Sequence, residues 1–471
     1  MLAGGRDDGG RGQVTASSPA EYLLADADAA QVRLARAWLG LALAALAGSG
    51  LFSILLVLAR TPGVNAWLPA GDFFRVALVV HVDLSVLVWF VAIAGMLWSL
   101  NQRSTAAFER LPLWLCSAAA GAMALAAFVD PGQAVMANYV PMLESVLFRA
   151  AIAAFGLGTL VLVVQGLWRP RAVGVLVDGP GALRFGLHAS VVSTAVALVA
   201  FAWSLAVVPT ELPAKAYYEI LFWGGGHALQ FTWTLLMLVG WLVLTEAGGM
   251  RVPLSPRVVL LLFAVALASV FVTPLAYLMH EVSSVEHRDL HTWAMRFGGC
   301  VAIAPLVLAV GLALVRRPGA SAVQAPLRAA LLSSMLLFSA GGLIGLTIHG
   351  SNVKIPAHYH GCIVGVTLAL MGLVFHLMPR LGWSPVRGRA AVVQPWLYGI
   401  GQLLHIVGLV WSGGYGVQRK VAGSEQVLRS TAEVAGMGLM GLGGALAIVG
   451  GLMFVVIVVK AMRVRSTEWA R

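Results

Sequence analysis

Ile355-Pro356-Ala357-His358-Tyr359-His360-Gly361 sets two histidines two residues apart inside an apolar run that extends over 354–379. A helix turns by about 100° per residue, so side chains two positions apart point roughly 200° apart, to opposite sides. The run is long enough for the ~20 residues that cross about 30 Å of hydrocarbon. A buried imidazole is costly there without a partner, and one helix carrying two in opposite directions can ligate two different metals. A haem iron with a single protein ligand keeps an open position for chemistry, whereas one with two imidazoles is closed and suited to electron transfer.

Working outward, the same kind of run recurs near 36–60, 73–100, 112–130, 144–168, 185–209, 217–245, 256–280, 288–315, 326–349, 391–412 and 432–462. With 59% hydrophobic and 11% charged residues, the bilayer is the solvent this chain is built for. The expected fold is all-α, a polytopic membrane protein of about twelve transmembrane helices. The domain of 35–465 follows a Gly-, Asp-, Arg- and Ser-rich tail of 1–34, which reads as disordered and cytoplasmic and lacks a secretory signal.

A net charge of +11 raises the question of nucleic acid, but Lys and Arg are scattered singly through short loops and form no basic stripe. No nucleic-acid partner is expected, and lipid is the main surrounding. Most of these cations fall on the side that holds the N-terminus, Arg169, Arg171, Arg251, Arg316, Arg317, Arg387 and Arg389 among them. The positive-inside rule then places both termini in the cytoplasm, for a chain of the bacterial inner membrane. Cys116, Cys300 and Cys362 are far apart, which excludes a disulfide framework and a Cys-x-x-Cys-His haem attachment, so any haem is held by axial ligands alone.

Five of the eleven histidines fall in the same half of the membrane: His81 in helix 2, His227 in helix 6, His280 at the end of helix 7, and His358 and His360 in helix 10. Convergence of imidazoles from four helices at one depth implies a shared ligand. His81 is well placed as the second imidazole on one of the haems served by helix 10. Asp83 and Glu219 are ionisable groups in or near hydrocarbon, hence functional candidates. His287 and His291 read as surface groups, and His188, His349, His376 and His405 as packing or supporting residues.

On these residues the chain resembles subunit I of the haem-copper oxidase superfamily, which includes the oxygen reductases and the related nitric oxide reductases. The most specific stretch is Gly341-Gly342-Leu343-Ile344-Gly345, then Ile355 to Gly361, ending at Met378-Pro379-Arg380. The resemblance implies two haems: His358 as proximal ligand of a high-spin haem, His360 and His81 on a low-spin haem. Phe222-Trp223-Gly224-Gly225-Gly226-His227 is similar to the helix 6 motif whose histidine binds the second, non-haem metal, copper in the oxidases. The glycines suit either approach to a macrocycle or close helix packing. Arg419 and Lys420 occupy the loop where the family sets basic residues over the haem propionates.

Two departures stand out. The family has adjacent histidines near the end of helix 7, where this chain reads Pro274-Leu275-Ala276-Tyr277-Leu278-Met279-His280-Glu281. Either Ala276-Tyr277 takes their place or His280 fills one ligand position; on the latter reading His280 and Tyr277 share a helix face and approach His227 more closely than His287 does. The oxygen reductases also hold a tyrosine near the metal pair, in most of them four residues after the helix 6 histidine, and that position is Phe231, which leaves Tyr277 as the substitute. The function implied is a respiratory terminal reductase that accepts electrons from a donor subunit or cytochrome c and reduces dioxygen to water. Nitric oxide as substrate, with Glu219 or Glu281 as an added carboxylate, and a haem-only relay or sensor are the alternatives.

Overall fold

Among the described residues, twelve helices long and apolar enough to cross a membrane follow one another: α1 (Ala29–Arg60), α2 (Phe73–Asn101), α3 (Leu111–Val129), α4 (Val146–Trp168), α5 (Gly179–Val207), α6 (Ala214–Ala247), α7 (Pro256–Met279), α8 (Val285–Val315), α9 (Gln324–Gly345), α10 (Lys354–Leu377), α11 (Arg389–Gly414) and α12 (Thr431–Met462). The computed structural model describes residues 21–64, 71–103, 108–316, 319–349, 352–418, 420 and 426–464. The chain is a multi-pass membrane protein. Side chains such as Trp114, Leu125, Phe128, Leu308 and Leu452 are exposed on its outside, where lipid solvates them.

The helices begin where small polar residues satisfy the free N–H groups of the first turn. Asp28 forms a capping box with Gln31 at α1, and Ser145, Asp178, Ser255, Ser284 and Ser430 cap α4, α5, α7, α8 and α12. The Asp28 cap starts α1 earlier than its apolar run suggests. Just upstream, Tyr22 is fully buried and donates its hydroxyl to the Leu254 carbonyl at 2.6 Å, and burial raises its pKa. The expectation of a disordered tail is therefore corrected for residues 21–34, while 1–20 lie outside the described residues.

Burial separates an interior from a periphery. The most apolar stretches of α6, α10 and α2 are 94%, 78% and 67% buried, against 33% for α8 and 28% for α7. The interior helices carry His227, His358, His360 and His81. α9 and α10 touch backbone to backbone, since a Cβ on Gly361 would meet Gly341 and one on Gly341 would meet the backbone of Gly361 and Cys362. Three helices depart from regular geometry: α2 contains a π-turn at Asp83–Val88, α7 breaks at Phe271, and α8 contains a second π-turn at Ala294–Gly298. Such π-turns often accompany functional sites. Between α3 and α4 a short hairpin pairs β1 (Ala134–Val135) with β2 (Met142–Leu143), and Tyr139 lies in its connection.

Candidate metal centres

Each histidine of α10 is fixed by one ring nitrogen. Nδ1 of His358 donates to the Gly341 carbonyl at 2.7 Å, and Nδ1 of His360 to the Pro356 carbonyl at 2.8 Å. The contact of α9 with α10 brings Gly341 within reach, and Gly345 leaves room for the ring, since a Cβ there would stand 2.7 Å from His358 Nδ1. On α2, Nδ1 of His81 lies 3.0 Å from both the carbonyl and the hydroxyl of Ser49. A neutral imidazole whose Nδ1–H is spent on a carbonyl offers an unprotonated Nε2, the donor a haem iron takes. All three residues therefore fit axial ligation.

His405 of α11, left without a role by the sequence, has the same design. Its Nδ1 donates to the Met440 carbonyl at 3.0 Å, and its ring centroid is 5.1 Å from that of His360. His81 and Arg60 are close enough to both to interact electrostatically.

The second cluster surrounds His227. Its Nδ1 donates to the Trp223 carbonyl at 2.8 Å, one turn earlier on α6. The Ser284 cap fixes the start of α8 so that His287 and His291, one turn apart, share its inward face. They are 0% and 1% exposed, their rings 4.6 Å apart, and the His291 ring is 5.7 Å from that of His227. His291 Nδ1 donates to the His287 carbonyl at 2.8 Å, while its Nε2 and both nitrogens of His287 have no hydrogen-bond partner among the described residues. Buried polar atoms without partners are uncommon, and three imidazole nitrogens in one place fit a metal ion as the missing partner. Among the described residues no three His, Cys, Asp or Glu side chains already form a metal cage; at His227 the Tyr139 hydroxyl stands 2.9 Å from Nδ1 and 3.0 Å from Nε2.

This arrangement corrects the expectation for the end of helix 7. α7 stops at Met279, and His280 leaves it in extended conformation, which separates it from the face that Tyr277 presents. His291, and not His280, is the histidine ring against His227, and the surface reading of His287 and His291 is overturned by their burial. Their spacing, four residues on one helix face, was the signal that could have found them. Tyr277 packs on both rings, at 4.6 Å from His287 and 6.0 Å from His291, but its hydroxyl turns away to Ser204 at 2.6 Å and the Ala200 carbonyl at 3.1 Å. The glycines before His227 are filled by side chains: Tyr277 lies against Gly224, Phe201 against Gly225 and Tyr139 against Gly226.

Of the remaining candidates, Asp83 is buried with neither carboxyl oxygen hydrogen-bonded among the described residues, and Glu219 accepts from Asn138 at 3.4 Å. Glu281 is exposed. Lys420 donates to the Met136 carbonyl of the hairpin at 2.5 Å and, with Arg75, Lys215 and Glu144, lines a cavity of about 610 Å³. Arg419 lies outside the described residues.

Residues 33–452 match the family model "Cytochrome C and Quinol oxidase polypeptide I". The chain belongs to this family. The oxidase subunit I family is one of membrane oxidoreductases that carry haem and copper and work with electron donors and oxygen. An uncharacterized protein of Rickettsia prowazekii is 28% identical over 504 residues, covering 91% of this chain and 96% of its own. An uncharacterized protein of Aquifex aeolicus is 28% identical, covering 75% and 86%, and cytochrome c oxidase subunit 1 of Thermus thermophilus is 26% identical, covering 76% and 71%. The cryo-EM structure of a heme-copper terminal oxidase dimer shares the fold, with a TM-score of 0.69 over 92% of this chain and 84% of that one at 14% identity.

Proposed function

We propose that this oxidase-family chain is the catalytic subunit of a respiratory terminal reductase of the bacterial inner membrane, with both termini in the cytoplasm. His81 and His360 would hold a low-spin haem, His358 a high-spin haem, and His227 with His287 and His291 a second metal. The bound haems and metal supply the electron transfer and the reduction of dioxygen to water. The observation that carries this reading is the shared state of the imidazoles. His81, His358, His360 and His227 each have Nδ1 fixed by a carbonyl, and His287 and His291 bring buried nitrogens with no partner.

The chain's own residues orient those groups. Backbone carbonyls hold the rings in one tautomer, and the buried faces of α6 and α10 keep water from the space between the centres. Electrons enter from a separate subunit or cytochrome c, and Lys420 is placed to meet acidic groups at the face where the hairpin lies. The Tyr139 hydroxyl, 2.9 Å from Nδ1 and 3.0 Å from Nε2 of His227, crowds that ring and favours a second reading, a haem-only relay without the second metal.

The test is the optical spectrum and elemental composition of the purified protein, run beside oxygen uptake and headspace nitrous oxide. We expect two haems, one non-haem metal and oxygen uptake. Nitrous oxide from nitric oxide would move the assignment to the nitric oxide reductases, and haem iron alone would move it to the relay.

A further inference from the structure

Where α4 ends and α3 begins, the protein presents apolar side chains that it does not cover. Along α4, Leu157, Leu160, Val164 and Leu167 form an exposed stripe that lipid solvates, and Trp168 ends it almost wholly outside the protein. α3 packs on α4 where Cys116 lies against the notch of Gly158, and its start carries exposed Phe108 and Trp114. Exposed aromatic rings at the ends of neighbouring helices mark the level where hydrocarbon meets headgroups. Just past that level the connection from α4 to α5 turns at Gly174, with φ +101°, and the next two residues, Val175 and Leu176, stand free of the body. Two aliphatic side chains gain nothing in water, whereas the acyl boundary of a membrane buries them favourably.

The base of this tip is fixed. Arg171 donates to the Asp26 carbonyl at 2.7 Å and to Gln31 Oε1 at 2.9 Å, Arg184 donates to the Ala172 carbonyl at 3.2 Å, and Asp178 caps α5. The connection from α2 to α3 is tied to it through the backbone. Gln102 pairs with Pro170, and the Arg103 N–H donates to the Arg169 carbonyl at 3.1 Å. Gln165 donates to the Phe108 carbonyl at 2.9 Å. These ties gather Arg103, Arg110 and Arg169 round Glu109, whose carboxylate stands 3.8 Å from Arg169. Arg103 and Arg110 are exposed and form no ion pair among the described residues. Positive charge in excess therefore sits beside the aromatic rings, at the depth of lipid phosphates.

We propose that these two loops bind an anionic phospholipid, whose phosphate is taken by Arg103, Arg110 and Arg169 and whose acyl region lies against Phe108, Trp168 and the Val175–Leu176 tip. Guanidinium suits a phosphate, to which it gives paired hydrogen bonds. A free phosphate ion uses the arginines and leaves the tip in water, and a neutral lipid covers the tip and leaves the arginines without a counter-charge. A ligand with both a negative headgroup and an acyl chain answers both. The site stands apart from the histidine clusters. His81 is twenty residues along α2 from Asn101, about 30 Å at 1.5 Å per residue, so changes here leave the proposed haem ligands in place.

The full chain is purified in neutral detergent as wild type and with Arg103→Gln, Arg110→Gln and Arg169→Gln combined. Each is titrated with phosphatidylglycerol and with phosphatidylcholine, in the presence and absence of inorganic phosphate, while bound lipid is counted by native mass spectrometry and haem content is followed optically. The wild type is expected to prefer phosphatidylglycerol, and the triple variant to bind it at least ~10-fold more weakly, with phosphatidylcholine binding and haem content unchanged. Equal affinity of the wild type for the two lipids, or unchanged phosphatidylglycerol binding by the variant, overturns the proposal. Displacement of the lipid by inorganic phosphate assigns the arginines to a free anion and overturns it too. So does a protein subunit that excludes the lipid from wild type and is lost from the variant, since this face is then a protein interface. Should the triple variant fail to assemble, Val175→Asn combined with Leu176→Asn decides at two exposed positions. Weakened phosphatidylglycerol binding there supports the site, and wild-type binding overturns it.

Discussion

The two clusters differ in how completely their rings are held. Around α10 every candidate ligand is held by a carbonyl, from its own helix at His360 or from the helix in backbone contact with it at His358. Around His227 the parts come from α6, α8 and a hairpin, and His287 has no hydrogen-bond partner at either ring nitrogen. The first cluster is organised by the helices that carry it. In the second, carbonyls hold the His227 and His291 rings as well, but His287 and the Nε2 of His291 are buried and unsatisfied, so their order depends on what binds them.

The contact that organises the first cluster is the place to break it. Gly361→Val puts side-chain atoms where the backbone of Gly341 stands, and backbone cannot yield as a flexible side chain can. We expect a loss of roughly 3 kcal/mol or more from overpacking. Because α10 carries both His358 and His360, both haem signals should fall together, as read by thermal unfolding and haem content. Retention of either haem at wild-type level would show that the helix contact does not set the ligands.

That same locality explains what was legible in the sequence. The twelve helices follow from apolar runs, and His358 and His360 from a spacing of two inside one of them, because ligand and support lie within a short stretch. The second cluster was misread because its members are remote in sequence. His280 was favoured for standing at the end of an apolar run, but α7 ends before it, and the polar first turns of α8 (Val285-Glu286-His287-Arg288-Asp289) look like a solvated surface. The α8 face is buried only because α6 and α7 cover it, a tertiary fact that periodicity does not carry. Tyr139 was hidden for the same reason, since nothing in a loop sequence says that its side chain fits a glycine notch on another helix.

A second substitution sharpens the contrast by changing sign with metal. In metal-depleted protein, His287→Leu removes a buried ring whose nitrogens have no partner, and the unsatisfied group costs about 1–3 kcal/mol. The variant should therefore unfold at a higher temperature than depleted wild type. In loaded protein it should unfold at a lower one, having lost a ligand. The measurement is a pair of melting curves with and without chelator, and a shift of one sign under both conditions would mean that His287 is not part of a metal centre.

The smallest expected effect lies back in the organised cluster, at Ser49. Its hydroxyl lies 3.0 Å from His81 Nδ1 and 3.1 Å from the His81 carbonyl, while its own carbonyl lies 3.0 Å from the same Nδ1. Nδ1–H has a single proton, and the carbonyl is an acceptor only, so the carbonyl fixes the tautomer and the hydroxyl serves to tie α1 to α2. Ser49→Ala deletes that tie and leaves the acceptor. The cost should be about 1 kcal/mol, that of one ordinary hydrogen bond, with the low-spin spectrum in place. A spectrum lost in Ser49→Ala would mean that the hydroxyl, and not the backbone, orients His81. The rule that every haem-ligand candidate is oriented by a carbonyl, which His287 of the second cluster lacks, would then fail at His81 and stand only for α10.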